Sequence, residues 1–516
     1  MIEAILYTSL FLLLSLVSAR ESDSLGKIAI IGAGAGGSSA AHHLQKFTDK
    51  GFNITIFEKN HYIGGRSTTV GNLQSGNAGN ESTAYGDYEL GASIFTSDNV
   101  ILTNAVQDFN LSVYDPSVAS DNSSGLFNDT TGAWNGDSYV YYYYYSDEQT
   151  LDFQSNSSVQ EAEAQEFSQI ETLVGSIIDA FVESYYYDEF PYTGLTNITE
   201  QTQLSTLTGT YALDLLKSLN VTEGACRDFI EPNTRVNYAS NIDQITTLEA
   251  LVSSNSASNV YSVVGGNYQI FERFIEQSGA ALKLNTSVNR IKYVTKVKRS
   301  DSYYLLEVID HETGNLTLEK FDKVIIAAPF YQSNIEVNID LKETLPGVQY
   351  RDLYVSLIRS KVKINNAALN QEIEAPENLL TTSINSDGLP NGVPYYSMTV
   401  KNYNTETGEY IYKLFTPEAI DSQFILSNFF NDVQSFEIIL QHYWNPYPYS
   451  TPLTEFPDFQ IDVHGGLYYL NTMEQFISTM ETSALAGANV AGLISAGRNT
   501  TVIGLPDQVD ISSKFV

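Results

Sequence analysis

Apolar positions near the start of the chain come first as an unbroken run and then as a helical stripe. Ile28-Ala29-Ile30-Ile31, after Lys27, carries no polar alternation, which predicts a strand buried on both faces. Gly32 to Gly37 predicts a tight turn, and Ser38 to Phe47 sets Ala40, Ala41, Leu44 and Phe47 on one helical face. Phe52 to Glu58 alternates as a second strand and ends on an acid, completing a βαβ unit. From about Val100 to Asn241 the chain turns polar and tyrosine-rich. Tyr139 to Tyr145 predicts a half-buried strand and Glu161 to Glu183 a helix; Tyr185 to Tyr187 is a second tyrosine cluster. Glycine returns at Val263-Val264-Gly265-Gly266, followed by a helix near Tyr268 to Gln277. Leu282 to Lys292 and Tyr303 to Ile309 predict strands, and Phe321 to Pro329 a strongly buried one. Tyr331 to Val463 alternates strand-like runs with loops, and Gly465 to Ile494 reads as loop then helix.

Gly32-Ala33-Gly34-Ala35-Gly36-Gly37 fits Gly-x-Gly-x-x-Gly between the first strand and the helix. The first glycine makes the turn, the second lets a pyrophosphate reach the backbone, and the third lets helix and sheet pack closely. Glu58 closes the second strand, where an acid accepts from the hydroxyls of an adenosine ribose. The fold class is therefore α/β: a Rossmann-type dinucleotide-binding domain interleaved with an α+β substrate-binding domain. The expected division is 1–19 leader; 26–100, 242–330 and 464–516 nucleotide domain with the C-terminal tail; and 101–241 and 331–463 substrate domain.

Charge narrows the partners. With 61 acidic against 27 basic residues and a net charge of −34, the chain repels nucleic acid and anionic membrane surfaces, while 43% hydrophobic content excludes a disordered acidic polymer. Met1 to Ala19 has an apolar core through Leu10 to Val17 and a Val17-Ser18-Ala19 end, the pattern of a secretory signal peptide; an uncleaved anchor is the alternative, because Glu3 stands where a basic residue is usual. No later stretch reaches the ~20 apolar residues of a membrane-spanning helix. Cys226 is the single cysteine, so no internal disulfide forms, and it reads as a packed residue. Asn-x-Ser/Thr sequons begin at Asn53, Asn80, Asn110, Asn122, Asn128, Asn156, Asn197, Asn220, Asn285, Asn315 and Asn499, all candidates for glycosylation. Neither a His-Glu-x-x-His nor a Gly-x-Ser-x-Gly pattern occurs, and no metal site is expected.

Glu58-Lys59 followed by Gly64-Gly65-Arg66 resembles the dinucleotide signature of amine-oxidase-like flavoproteins, and Glu89-Leu90-Gly91-Ala92-Ser93 resembles the stretch that passes beside the flavin. Phe229-Ile230-Glu231-Pro232, Arg235-Val236-Asn237-Tyr238, Val264-Gly265-Gly266-Asn267, Gly465 to Asn471 with Glu474, and Met480 to Ala484 together resemble the prenylcysteine oxidase (prenylcysteine lyase) family over nearly the whole chain. That resemblance implies FAD, held by Gly32, Gly34, Ala35, Gly36, Gly37, Glu58, Lys59, Gly65, Arg66, Gly91, Ala92, Ser93, Val288, Tyr469 and Asn471, with Arg66 on the pyrophosphate and Val288 near adenine.

It also implies oxidation of the thioether of farnesyl- or geranylgeranyl-cysteine by dioxygen, giving prenyl aldehyde, cysteine and hydrogen peroxide, in the breakdown of prenylated proteins. Arg235, Asn237, Tyr238 and His464 are the candidates for substrate contact, and no residue is assigned as catalytic acid or base. The alternatives are another flavin amine oxidase and a non-catalytic prenyl-binding protein. Leader and resemblance together place the protein in the secretory pathway, in a lysosome or vacuole lumen or outside the cell, with peripheral contact to lipid.

Overall fold

The structure, a computed structural model, describes residues 25–48, 51–71, 87–116, 130–144, 158–255, 259–345, 347–365, 369, 374–405, 407–496 and 503–515. The leader, the sequons at Asn80, Asn122, Asn128, Asn156 and Asn499, and much of the acidic segment 115–160 lie outside those residues.

β1 (Lys27–Ile31) lies inside a parallel sheet, which is why its apolar residues run without alternation. β2 (Asn53–Phe57) pairs on one side with Ile30 opposite Ile56, and β4 (Lys323–Ile326) on the other with Ile30 opposite Ile325. β3 (Ala281–Lys283) and β5 (Leu467–Tyr469) complete the order β3-β2-β1-β4-β5. Ile28 and Ile30 face a layer of helices, whereas Ala29 and Ile31 face an antiparallel and parallel four-stranded sheet built from Thr286–Val294, Tyr303–Asp310, Leu316–Phe321 and Glu336–Asn338.

The helical layer is α1 (Ala35–Thr48) held between α3 (Tyr268–Ser278) and α4 (Met480–Ser495). α1 begins three residues before the predicted Ser38, because the glycines themselves form its first turn. The expected boundary at residue 101 moves as well. α2 (Val100–Asp108) docks on α4, where the buried Glu481 carboxylate accepts from the backbone N–H groups of Ile101 and Leu102 at 2.7 and 3.0 Å. Glu336–Asn338 likewise pairs with Arg290–Lys292, placing the start of the segment 331–463 beside the nucleotide domain.

The second unit is a seven-stranded sheet in the order Phe436–Trp444, Leu353–Ser360, Glu409–Thr416, Ser397–Asn404, Asn378–Thr381, Thr130–Trp134, Tyr139–Tyr144, accompanied by helical segments between Ser158 and Ser253. The tyrosine strand is more enclosed than its alternation predicts: Val140, Tyr141 and Tyr142 are all buried, and Tyr141 stacks on Phe229 at 5.9 Å. Among the described residues no helix is long and apolar enough to cross a membrane.

Two histidines on α1 give the fold a pH dependence. The His42 ring lies 4.7 Å from the Phe274 ring and 5.1 Å from His43. Burial first, then the Lys46 charge, pulls His42 down to about 4, and burial pulls His43 well below the ordinary histidine value. Both rings stay neutral in the fold while the unfolded chain takes up protons near pH 6.5. Their stabilisation is thus complete above pH 6.5 and lost as the pH falls toward 4. His42→Gln is expected to lose about 2 kcal/mol less than the wild type between pH 7 and pH 5, measured by urea unfolding at both.

Candidate functional site

The carboxyl ends of β1 and β2 and the amino end of α1 open onto a cleft of about 430 Å³. Gly34, Ala35, Gly36, Glu58, Lys59, Gly65, Arg66, Gly91, Ala92, Val288 and Asn471 line it, so residues up to 437 positions apart share one wall (Gly34 and Asn471). The helix amino terminus directs its partial positive charge and its first N–H groups toward this space, which suits a diphosphate.

The glycines divide by what needs them. A Cβ on Gly37 would sit 2.0 Å from the Gly32 carbonyl oxygen, so that glycine serves close packing inside the protein. A Cβ on Gly34 would meet nothing nearer than the Gly64 oxygen at 3.8 Å. Among the described residues no contact requires glycine at position 34, and its bare backbone instead keeps the cleft open.

Glu58 is buried at the end of β2. Its Oε2 accepts from the Ala33 N–H and its Oε1 from the Asn60 N–H, each at 2.9 Å, which fixes the carboxylate at the cleft wall with lone pairs left over for hydroxyls. Burial raises its pKa, and the two backbone N–H groups work in the opposite direction. Arg66 lines the cleft with its fork held from behind. Its Nη2 pairs with Glu474 and its Nη1 donates to the Pro446 carbonyl at 2.7 Å, so the fork is turned onto protein acceptors. Glu474 in turn accepts from Asn471 Nδ2 at 2.7 Å and from the Tyr350 hydroxyl at 2.8 Å.

Gly32, Gly37, Ser93 and Tyr469 stand behind the wall. The Ser93 hydroxyl donates to the Gly91 carbonyl and accepts from the buried Lys413, both at 2.8 Å, while the Tyr469 hydroxyl accepts from the Phe330 N–H at 3.3 Å. The substrate candidates do not line the cleft. Asn237 donates to the Ser253 carbonyl, Tyr238 packs against Tyr447, and His464 stacks on Tyr293 at 3.8 Å beside the four-stranded sheet. Arg235 lines a separate, smaller cavity.

The far wall was not legible in the motif. It comes from Tyr443, Trp444 and Tyr447 and from Thr479, Met480 and Ser483 at the start of α4. Trp444 Nε1 and Asn471 Oδ1 are buried there with no hydrogen-bond partner among the described residues, which leaves a donor and an acceptor for a bound polar group. Cys226 takes no part: it is fully buried, and burial pushes its thiol up to about 12. Cys226→Ser is expected to keep wild-type turnover and to cost about 1–2 kcal/mol for a hydroxyl in an apolar pocket, checked by activity and by thermal unfolding. Among the described residues no group of three or more His, Cys, Asp or Glu is arranged to hold a metal ion.

The family model described as prenylcysteine lyase matches residues 165–503, and that of the NAD(P)-binding Rossmann-like domain matches residues 30–109. Bovine prenylcysteine oxidase 1 is 26% identical over 502 residues, covering 95% of this chain and 92% of that protein. Farnesylcysteine lyase of Arabidopsis thaliana is 27% identical over 500 residues, covering 92% and 89%. Among solved structures, cyclohexylamine oxidase from Brevibacterium oxydans superposes with a TM-score of 0.54 at 15% identity, over 91% of this chain and 98% of that one. A fatty acid isomerase from P. acnes gives 0.57 at 13% identity, over 92% and 99%. These two share the fold. The dinucleotide fold, the family match and the cleft geometry make the cofactor FAD, with Gly34 and the α1 terminus suited to its diphosphate and Glu58 to its ribose.

Proposed function

The chain belongs to the prenylcysteine lyase family, and from that premise we propose that it oxidises the thioether of farnesyl- or geranylgeranyl-cysteine to a prenyl aldehyde, cysteine and hydrogen peroxide during breakdown of prenylated proteins. The family match over residues 165–503, continuous with a cleft held open at Gly34, carries this reading. FAD held in the cleft would supply a two-electron hydride acceptor, with dioxygen as the final oxidant and hydrogen peroxide as its product. Hydride loss from the allylic carbon beside sulfur leaves a cation shared by sulfur and the double bond. Water adds there and releases a proton, and the hemithioacetal collapses to aldehyde and cysteine thiol. No strong base is required, so the protein's work is to hold the cofactor through Glu58 and the α1 terminus and to orient the substrate against it.

The reading extends to the secretory pathway, with a lysosome, a vacuole or the exterior as destination. The Met1 to Ala19 leader supports it, as do the exposed positions of Asn53, Asn110, Asn197, Asn220 and Asn315, where a glycan meets no core residue; Asn285 is half-buried and donates to Glu312.

Anaerobic titration of the purified protein with farnesylcysteine, followed by admission of air, tests the activity. Bleaching of the visible flavin band, then its return with peroxide and prenyl aldehyde, is the expected result. A flavin that stays oxidised with prenylcysteine and is bleached by an amine would replace the substrate; a colourless protein that still binds prenylcysteine would leave only a carrier.

A further inference from the structure

Beside the cleft lies a second cavity, of about 220 Å³, lined by Arg235, Asn241, Gln244, Arg351, Tyr395 and Tyr396 among others. Both arginines are more than nine-tenths buried, at 5% and 8% exposure. Neither forms an ion pair with any described carboxylate. Three of the five N–H bonds of Arg235 are engaged, all by neutral acceptors: Nε by the Thr381 hydroxyl at 3.0 Å, Nη1 by Asn241 Oδ1 at 2.6 Å and Nη2 by the Tyr395 carbonyl at 3.0 Å. Arg351 donates from Nη2 to the Gln244 carbonyl at 3.1 Å and lies over the Tyr449 ring at 4.4 Å.

The nearby acids are committed elsewhere. Glu231 accepts from Arg227 at 2.9 Å and from the Ser383 N–H at 3.0 Å. Glu249 accepts from the Ser478 N–H at 3.3 Å, and burial raises it to about 7. Burial lowers the pKa of both arginines and outweighs the attraction of Glu231 for Arg235 and of Glu249 for Arg351, neither of which is in ion-pair contact. A guanidinium stays protonated regardless, and burying two of them unpaired costs free energy that a bound anion would recover. On a chain of net charge −34, two buried guanidiniums around one cavity that no carboxylate lines are a local and built feature.

The walls of the two cavities are hydrogen-bonded to each other. Pro446 and Tyr447 line the flavin cleft, the Arg351 N–H donates to the Tyr447 carbonyl at 2.8 Å, and the Tyr447 ring touches Tyr238, which precedes the cavity residue Ala239. We propose that the Arg235–Arg351 cavity is a carboxylate subsite that takes the α-carboxylate at the amino-acid end of the substrate. This rests on the proposed oxidation of prenylcysteine, whose free carboxylate is its one anionic group and whose prenyl tail is neutral. The subsite selects a free carboxylate, because an ester or amide at that carboxyl group removes the charge the arginines need.

The test compares farnesylcysteine with its methyl ester on the flavin-loaded wild type, Arg351→Gln and Arg351→Lys. Arg351 is chosen because Arg235 is tied into the fold by three hydrogen bonds and its replacement puts folding at risk. The wild type is expected to show a KM for the acid about 10- to 100-fold below that for the ester. Arg351→Gln raises the KM for the acid by about the same factor and moves that for the ester less than about threefold, while Arg351→Lys restores part of the preference. Equal KM values for acid and ester in the wild type, or an equal rise for both in Arg351→Gln, overturns the proposal.

A separate arm keeps the site distinguishable from the reaction. Acetate is titrated against wild type and Arg351→Gln with the melting temperature as readout. A rise in the wild type that Arg351→Gln lacks supports the anion site even if prenylcysteine is not oxidised; no rise in either removes it even if the oxidation stands.

Discussion

Gly34→Val is expected to fold, to purify colourless and to retain less than about 1% of wild-type oxidase activity. The first half of that expectation follows from the space around Gly34, where an added Cβ finds no protein atom closer than 3.8 Å. The backbone there lies outside the left-handed region, so a side chain brings no strain of its own. The second half follows from where the side chain would point, into the cleft over the amino terminus of α1, displacing the diphosphate from the N–H groups that would hold it. Absorbance of the purified variant and its melting temperature without cofactor check both halves. A yellow, active variant would move the cofactor elsewhere, and an unfolded one would give Gly34 a packing role that the geometry does not show.

Gly487→Val should fail in the opposite way. A Cβ at Gly487 on α4 would lie 2.2 Å from the Gly36 carbonyl oxygen and 2.8 Å from the Ala40 nitrogen, both backbone atoms of α1. Neither atom can give way without parting the two helices, whose contact is also fixed by the Ser39 hydroxyl donating to the Ala484 carbonyl at 2.6 Å. The cost is about 3 kcal/mol or more, at the upper end for overpacking a core. Chemical denaturation should show a lowered midpoint, or expression should yield no folded protein. A variant with wild-type stability would mean that α1 and α4 are not in backbone contact.

The two glycines show why motif and structure carry different information. Gly32, Gly34 and Gly37 sit in one local pattern whose spacing is set by a turn and a helix, so their grouping and the β1–α1–β2 unit were readable from the chain alone. Gly487 belongs to no such pattern. Its constraint comes from Gly36 on α1, 451 positions away in the chain, and nothing in its neighbours announces it. The same reason hid β5: three residues, Leu467 to Tyr469, are too few to show a period, and they become a strand only by pairing with Val324 to Ile326.

Arg66 shows the limit from the other side. Its position after Gly64-Gly65 correctly brought it to the cleft, but its partners Glu474 and Pro446 are distant in sequence, and they decide where its fork points. His464, singled out beside a glycine pair, stacks instead on Tyr293 in the four-stranded sheet. Arg235 reaches a cavity whose second arginine, Arg351, stands outside any recognised motif.

The sequence by itself determined the dinucleotide fold, the βαβ unit, the acid at its end and the family, because each is written in short-range periodicity or in an ordered set of motifs. The tertiary structure decided which residues close the far wall of the cleft, which glycines serve packing and which serve the ligand, and that two arginines meet in a pocket without an acid. Those depend on pairings across hundreds of residues and on the burial they create, and burial is a property of the folded neighbourhood rather than of any segment.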